Sequence, residues 1–316
     1  MMGVRRNVLQ DATARRQFVE GCVQLSSEMT GITSTQANTI LAPQVPGWSM
    51  RGVEVDLSWW DLFVLWHYVA MQLPTPGGAN RAHGGPVFLP WHRMFMIRLE
   101  ETIQTRTNNP NFGLPYWDWA RDRTLSSALW RSGNLGSNRG AVTTGPIGAL
   151  RVRLTQSWSE TTGSFLESHA PRPITRNAGQ DTRALPTKTQ VRACLAEADY
   201  DRAPWDMNAA GFRNRLEGWR PQAPGLHNLV HVWVGGDMSP GTSPNDPVFY
   251  LNHCNVDRIW EAKMVRSGRT YRPSSGGPSG HNLNDPMVSL IGAAMTPAGV
   301  LDVSAWYTYD NLNVET

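Results

Sequence analysis

Six of the eight histidines in this 316-residue chain fall into two triplets. His227 and His231 stand four residues apart in LHNLVH, a spacing that stacks two side chains on one face of an α-helix, one turn apart. A Gly-Gly pair and two prolines then break the chain, and His253 follows at the head of a new apolar-periodic segment. Two ligands from one helix and a third from the next make a three-imidazole metal site. His67, His83 and His92 form a second triplet upstream.

Imidazole suits copper, zinc, iron and nickel, whereas thiolate or carboxylate ligands would shift the choice. Neither triplet has a cysteine or carboxylate at ligand spacing. Three neutral imidazoles leave a coordination position open and bring no compensating charge, which fits a soft, low-charge state such as Cu(I). Two such sites face to face could bind O2 between them, so the residues point to a dicopper oxygen site. A lone buried histidine is more often a hydrogen-bonded core residue, but a stacked His227/His231 pair rarely serves packing. A zinc protease needs HExxH, and Asn228 occupies the place of its glutamate. His169 and His281 lie in Ser/Gly/Pro-rich segments and read as surface histidines.

The elements that must position these rings are mostly helical. Ser58–Leu73 (SWWDLFVLWHYVAMQL) opens on an N-cap serine with Asp61 at the third helical position and is stopped by Pro74 and Pro76. It is apolar nearly all round, so it is buried on most sides, and His67 in its middle must find a partner. His83 sits in the loop Pro74–Phe88. Leu89–Gln104 is the next helix, with Pro90 in its first turn; His92, Phe95, Met96 and Leu99 share one face, and Arg93, Glu100 and Gln104 lie mostly elsewhere. Shorter helices are predicted over residues 10–30, from the capping box Thr187–Gln190 to Glu197, and over Ala209–Trp219, ended by Gly218. Glu217 then falls at a helix C-terminus, where the dipole disfavours an acid. A helix containing His227 and His231, and another from about Asn252 to Arg266, complete the set. Residues 31–56 and 272–286 read as loop, residues 121–186 as long loops with short elements, long enough to shape a substrate mouth, and the tail as a short strand.

Composition sets further bounds. A hydrophobic content of 40% supports a real core, and the net charge of +3 is scattered without a basic run for nucleic acid. No apolar run reaches 18 residues, so no transmembrane helix is expected. The N-terminus lacks the apolar stretch of a secretory signal, which points to the cytoplasm. Cys22, Cys194 and Cys254 are widely spaced and give neither a zinc pattern nor a disulfide framework; Cys254 reads as a small buried hydrophobe. No repeat or clean linker appears, so residues 1–316 read as a single domain.

AHGGPVFLPWHR with His83 and His92, then HNLVH, then NDPVFYLNH followed by Asp257-Arg258-x-Trp260, closely resemble the tyrosinase family of type-3 copper proteins. Arg5 and Arg6 look like the arginines that open that family's catalytic domain, and Tyr307 and Tyr309 like its closing tyrosine motif. The resemblance implies a mainly α-helical, tyrosinase-like fold, with a central four-helix bundle holding the dicopper site amid long loops and few short strands. It implies two copper ions, copper A on His67, His83 and His92 and copper B on His227, His231 and His253, with O2 as co-substrate. The activity implied is hydroxylation of monophenols or oxidation of o-diphenols to o-quinones. Oxidation of o-aminophenols to o-quinone imines is the alternative, since HCNVDRIW around Cys254 looks like bacterial o-aminophenol oxidases. A haemocyanin-like oxygen carrier is the distant third reading.

By the same resemblance Glu217 and Asn228 hold a water that deprotonates the phenol, Asp257 orients a ligand imidazole, and Val232 lines the pocket. Without it, Glu217 reads equally as a surface salt bridge, and Asp257 could pair with Arg258. The chain departs from relatives at Asn252, where many have a second histidine, and at Arg81, where some carry the cysteine of a Cys–His thioether. With the tyrosine motif at its end, no C-terminal lid domain is expected. The expected partners are a small phenolic or aminophenolic substrate and, as an open question, a copper-delivery protein; neither nucleic acid nor membrane is expected.

Overall fold

The computed structural model describes residues 3–48, 54–161, 163–182 and 184–315. Among these are eight α-helices and eight short strands. The helices are α1 (Ala12–Ser27), α2 (Ser34–Leu41), α3 (Trp59–Ala70), α4 (Phe88–Arg106), α5 (Lys188–Leu195), α6 (Phe212–Glu217), α7 (Leu226–Val234) and α8 (Val248–Ser267). The strands are β1 (Gly3–Arg5), β2 (Met29–Thr33), β3 (Asp56–Ser58), β4 (Arg139–Ala141), β5 (Val152–Ser159), β6 (Gly163–Arg172), β7 (Thr175–Asn177) and β8 (Tyr307–Tyr309). They pair only two by two: β1 with β8 in parallel, and β2–β3, β4–β7 and β5–β6 antiparallel. None of the helices is long and apolar enough to cross a membrane.

The centre of the molecule is the bundle α3, α4, α7 and α8. Ser58 caps α3 in a reciprocal box with Asp61, and every residue from Trp60 to Ala70 is buried, as its all-round apolar surface requires. Between the helices lies an aromatic core in which Trp66, Phe95 and Phe63 meet edge to face and Trp91 stacks on Phe95. Burying tryptophan strands its N–H unless an acceptor is near. Trp66 and Trp91 share one, the Val288 carbonyl, at 2.9 Å each.

Two stretches hold more structure than their composition suggests. Residues 31–56 read as loop, yet they carry the end of β2, all of α2 and the start of β3; Thr33 and Gln36 form a capping box there. Residues 49–53 of that stretch lie outside the described residues. Within 121–186, β5 and β6 form one hairpin, packed on α3 and joined to it by the Tyr68–Ser164 hydroxyl contact of 2.9 Å. Its residues are mostly half-exposed on both faces, so the period-two hydrophobic signal is faint. Helix α8 begins a turn earlier than expected, at Val248 after Pro247.

Arg93 and Glu100, placed off the core face by helical spacing, are buried, at 0% and 3% exposure, because they belong to an ionic knot. Arg93 Nε donates to Asp257 Oδ1 at 2.5 Å, and its Nη2 to Glu261 at 3.1 Å. Arg5 Nε reaches Glu100 at 2.9 Å and its Nη1 reaches Asp257 Oδ2 at 3.1 Å. Tyr307 and Tyr309 both donate hydroxyls to Asp257 Oδ2 at 2.6 Å. The Arg5 guanidinium lies 3.3 Å from the Tyr307 ring centre, a cation–π contact. Both expectations for Asp257 are thereby corrected: it touches no imidazole, and it does not pair with Arg258, which turns to Asp118 and Asn311 instead. Adjacent residues on a helix do not face each other, whereas Arg5 and Arg93 converge from other elements.

Burial alone would raise the Asp257 carboxyl, but Arg93, Arg5 and the two tyrosine hydroxyls outweigh it and hold it below its ordinary value. A depressed carboxylate stabilises the fold at neutral pH, and that contribution fades as pH falls through the folded-state value. Asp257→Asn leaves two buried arginines short of their counter-charge, so it should lower the unfolding free energy by about 3–5 kcal/mol. Urea melts at pH 7 and in acid test this: the gap between wild type and variant should narrow toward low pH, and equal midpoints at pH 7 would contradict the role given to the knot.

Candidate metal centre

His67 projects from the last turn of α3, His92 from the second turn of α4, His227 and His231 from α7 and His253 from α8. His83 alone of the six stands on a loop. In each triplet one ring nitrogen per histidine lies within 4.8 Å of the other two. The triplets meet across the bundle: the His92 and His253 rings stack with centroids 4.2 Å apart and planes within 10°. Phe88 and Phe249 wall the centre, with Phe249 4.2 Å from the His253 ring and Phe88 4.8 Å from that of His92.

Outer hydrogen bonds set the tautomers. His67 Nδ1 donates to the Gly241 carbonyl at 2.7 Å, His92 Nδ1 to Phe88 at 2.8 Å and His231 Nδ1 to Met238 at 2.6 Å. His227 Nδ1 is shared between the Asn228 Oδ1, at 2.9 Å, and the Glu217 carbonyl, at 3.2 Å. A proton held on Nδ1 leaves Nε2 as a bare lone pair aimed inward, the arrangement a metal ligand requires.

The inner nitrogens are under-satisfied in the way a cation would relieve. Nε2 of His67 and of His92 are buried without a partner. Nε2 of His227 lies 3.0 Å from those of both His231 and His253. Neutral imidazoles with Nδ1 protonated would set lone pairs against each other there. Burial pushes these histidines down, His231 to about 4 and His67, with repulsion from the His231 ring added, to about 3. All six stay neutral at pH 7 and present lone pairs. The donor set, all nitrogen with no charge of its own, fits copper in its soft state.

Glu217 is wholly buried at the end of α6, so it is no surface salt bridge. Its Oε2 accepts from Arg213 Nη1 at 3.0 Å, and its Oε1 from the Gly84 N–H, next to His83, at 2.7 Å. Arg213 in turn binds Asp201 at 2.8 Å. Burial raises the Glu217 carboxyl, and Arg213 and the Gly84 N–H offset only part of that. Gly218 closes α6 with φ 109°, and a Cβ there would lie 2.2 Å from the Gly225 carbonyl oxygen. Only glycine allows α6 to end this close to the start of α7, which brings the Glu217 carbonyl onto His227. Asn228 Nδ2 is buried without a partner. Arg213, one helical turn before Glu217, was visible by spacing; Asp201 and the Gly84 N–H were not.

Val232 is half-buried and lines a cleft of about 500 Å³ with Leu226, Leu229 and Arg220, whose walls include none of the six histidines. Asn252 is fully buried beside His253, with neither side-chain atom hydrogen-bonded. Cys254 is free and buried, as its reading as a small hydrophobe anticipates. His169 is only partly exposed and lies on β6; His281, expected at the surface, is buried at 2% exposure.

Residues 57–262 match the common central domain of tyrosinase. The tyrosinase of Streptomyces glaucescens is 40% identical over 256 residues, which span 79% of this chain and 88% of that one. The grixazone synthase of Streptomyces griseus subsp. griseus is 35% identical over 259 residues, 74% of this chain and 83% of its own. Among solved structures, a polyphenol oxidase variant from Thermothelomyces thermophila superposes with a TM-score of 0.70 at 20% identity, over 98% of this chain and 89% of that one, a likeness of fold.

The two triplets should bind independently. Protein reconstituted with copper should hold two ions per chain by elemental analysis, and His227→Ala, which removes the nitrogen shared by both close contacts of its triplet, should leave about one. A single ion in the wild type, or two in the variant, would overturn the assignment.

Proposed function

The chain belongs to the tyrosinase family, and from that premise we propose that it is a dicopper oxidase of phenols that uses O2. The observation that carries this is the pair of complete histidine triplets, their bare nitrogens converging inside one helical bundle. His67, His83 and His92 would hold copper A, and His227, His231 and His253 copper B. The two ions supply the redox chemistry with O2. For a monophenol the balance is phenol plus O2 giving o-quinone plus water; for a catechol, two catechols plus O2 give two o-quinones and two waters.

The remaining work falls to the protein. The carbonyls on the outer nitrogens orient the rings and hold their protons on Nδ1, while burial keeps Nε2 unprotonated. Phe88 and Phe249 pack an apolar wall against the ligand rings. A phenol has a pKa of ~10 and must lose its proton to approach as phenolate. Glu217 and Asn228 are our candidates for holding the water that takes it. The buried carboxyl of Glu217, raised by its surroundings, is a better base than an exposed one, and the unpaired amide nitrogen of Asn228 has a hydrogen to donate. Val232 would form an apolar flank of the substrate approach.

A second reading, oxidation of o-aminophenols to quinone imines, rests on HCNVDRIW at His253–Trp260, which resembles that branch of the family. We infer a cytoplasmic location, which three free buried cysteines suit. Burial of most of the six rings favours delivery of copper by a partner protein during assembly. A substrate panel of tyrosine, a catechol and o-aminophenol, with the copper-loaded protein under air, separates these readings. An oxygen carrier would turn over none of them.

Glu217→Gln keeps an oxygen for the Gly84 N–H but removes the base. With copper content unchanged, monophenol turnover should fall by roughly 10²-fold or more while catechol turnover, aided by two-point binding, falls much less. If o-aminophenol is the substrate, the same comparison uses its hydroxyl proton. Small, equal losses on both substrates would reduce Glu217 to a structural acid.

A further inference from the structure

His281 is the buried histidine that the dicopper centre leaves unused. It lies on the loop after α8, held there by Tyr271, whose hydroxyl donates to the His281 carbonyl at 2.6 Å, and by Asp285, which accepts from the Gly280 and Asn282 N–H groups at 2.8 and 3.1 Å. Its ring faces the segment Asn80–Val87, which carries His83. The Val87 N–H points at His281 Nδ1 at 3.5 Å. Two residues before Val87, Gly85 lies flat against the imidazole: a Cβ added there would fall 2.6 Å from Cε1 and 2.7 Å from Nδ1.

His83 needs such support more than any other ligand. The other five rings project from helices, whereas His83 stands on a loop with Gly77, Gly78, Gly84 and Gly85 around it. Its Nδ1 has no hydrogen-bond partner, so no outer acceptor fixes the ring as Gly241 fixes His67. The direction of the imidazole is therefore inherited from the backbone. Inside the loop, Asn80 Oδ1 accepts from the Ala82 and His83 N–H groups at 3.0 and 2.7 Å. Outside it, the Arg81 guanidinium reaches the Ser279 carbonyl at 2.5 Å, on the same strap as His281.

We propose that His281 is a positioning residue for copper A, a non-ligand imidazole that braces the His83 loop at Gly85 and Val87 from the segment 278–285. The inference rests on the reading of His83 as a copper ligand. A neutral imidazole suits the task, since it can donate through one nitrogen and accept through the other. Burial, with Arg81 and Arg213 nearby, pushes the ring down to about 4 and keeps it neutral under working conditions.

Copper release from the loaded full-length protein to excess chelator, followed without substrate, tests this. Wild type should surrender both ions slowly. His281→Ala should release one of its two ions about 10- to 100-fold faster, the scale for losing support behind a ligand, and hold the other at the wild-type rate. His281→Gln, which can also donate and accept, should restore much of the difference. Gly85→Ala, whose new methyl must displace the ring, should reproduce the fast phase with the imidazole retained, and carries the test if the alanine variant does not fold. Melting of the copper-free proteins should stay close to wild type. Uniform loss of both ions in step with a lowered melting point, or release at the wild-type rate from His281→Ala and Gly85→Ala, would overturn the proposal. A wild type that binds no copper would instead sink the metal reading on which it stands.

Discussion

The whole arrangement depends on one constraint: bare imidazole lone pairs converge inside a packed core. Such a cluster is unfavourable by itself, because polar atoms have been taken from water and left unpaired. A bound cation repays that cost, and only if each ring keeps its proton on the outside. Hence the recurring use of main-chain carbonyls as outer acceptors, from Gly241, Phe88, Met238 and Glu217. Carbonyls are stiff and cannot ionise, so they hold a tautomer without adding charge. Two of the four come from the irregular stretch between α7 and α8, which explains why a Gly/Pro-rich segment is packed so deeply against the bundle.

Much of the centre was legible because its ligands obey helical arithmetic. The i,i+4 pair on α7, the capping box of α3 and the proline in the first turn of α4 are local features that located four of the rings on the right elements, and the apolar periodicity after Asn252 located a fifth, His253. The tail does form a short strand, though its parallel pairing with the strand of Arg5 was not anticipated. What stayed hidden depends on distant partners. Asp257 has Arg258 beside it in sequence, but its real partners lie 252 and 164 positions away. His281 looked like a surface residue because its loop is rich in Ser, Gly and Pro. Its cover is another loop, which no periodicity reveals. The β5–β6 hairpin escaped for a different reason: neither of its faces is consistently buried, so alternation has little to report.

Glu217 shows how one residue can serve both metals. Its carbonyl steadies His227 of the second triplet, while its carboxylate holds the N–H of Gly84, adjacent to His83 of the first. Charge compensation by Arg213 and Asp201 makes the buried acid tolerable without requiring it to reach solvent. A base in this position is also a strut, so loss of its charge and loss of its side chain are different perturbations. The glutamine variant isolates the first; a truncation would combine the two.

The ionic knot and the metal centre are linked by helix geometry rather than by contact. Asp257 follows His253 by one helical turn on α8, and Arg93 follows His92 directly on α4. The short Arg93–Asp257 bond therefore fixes the register of α4 against α8 at the level where His92 and His253 stack. A bidentate-capable guanidinium suits this task better than an ammonium would, since its planar fork sets orientation as well as distance. Arg5, Tyr307 and Tyr309 complete the coordination of the same carboxylate and bring both chain ends to it. Closure of the termini and alignment of the two triplets thus rest on a single buried aspartate, which acts on the ligands through the helices that carry them.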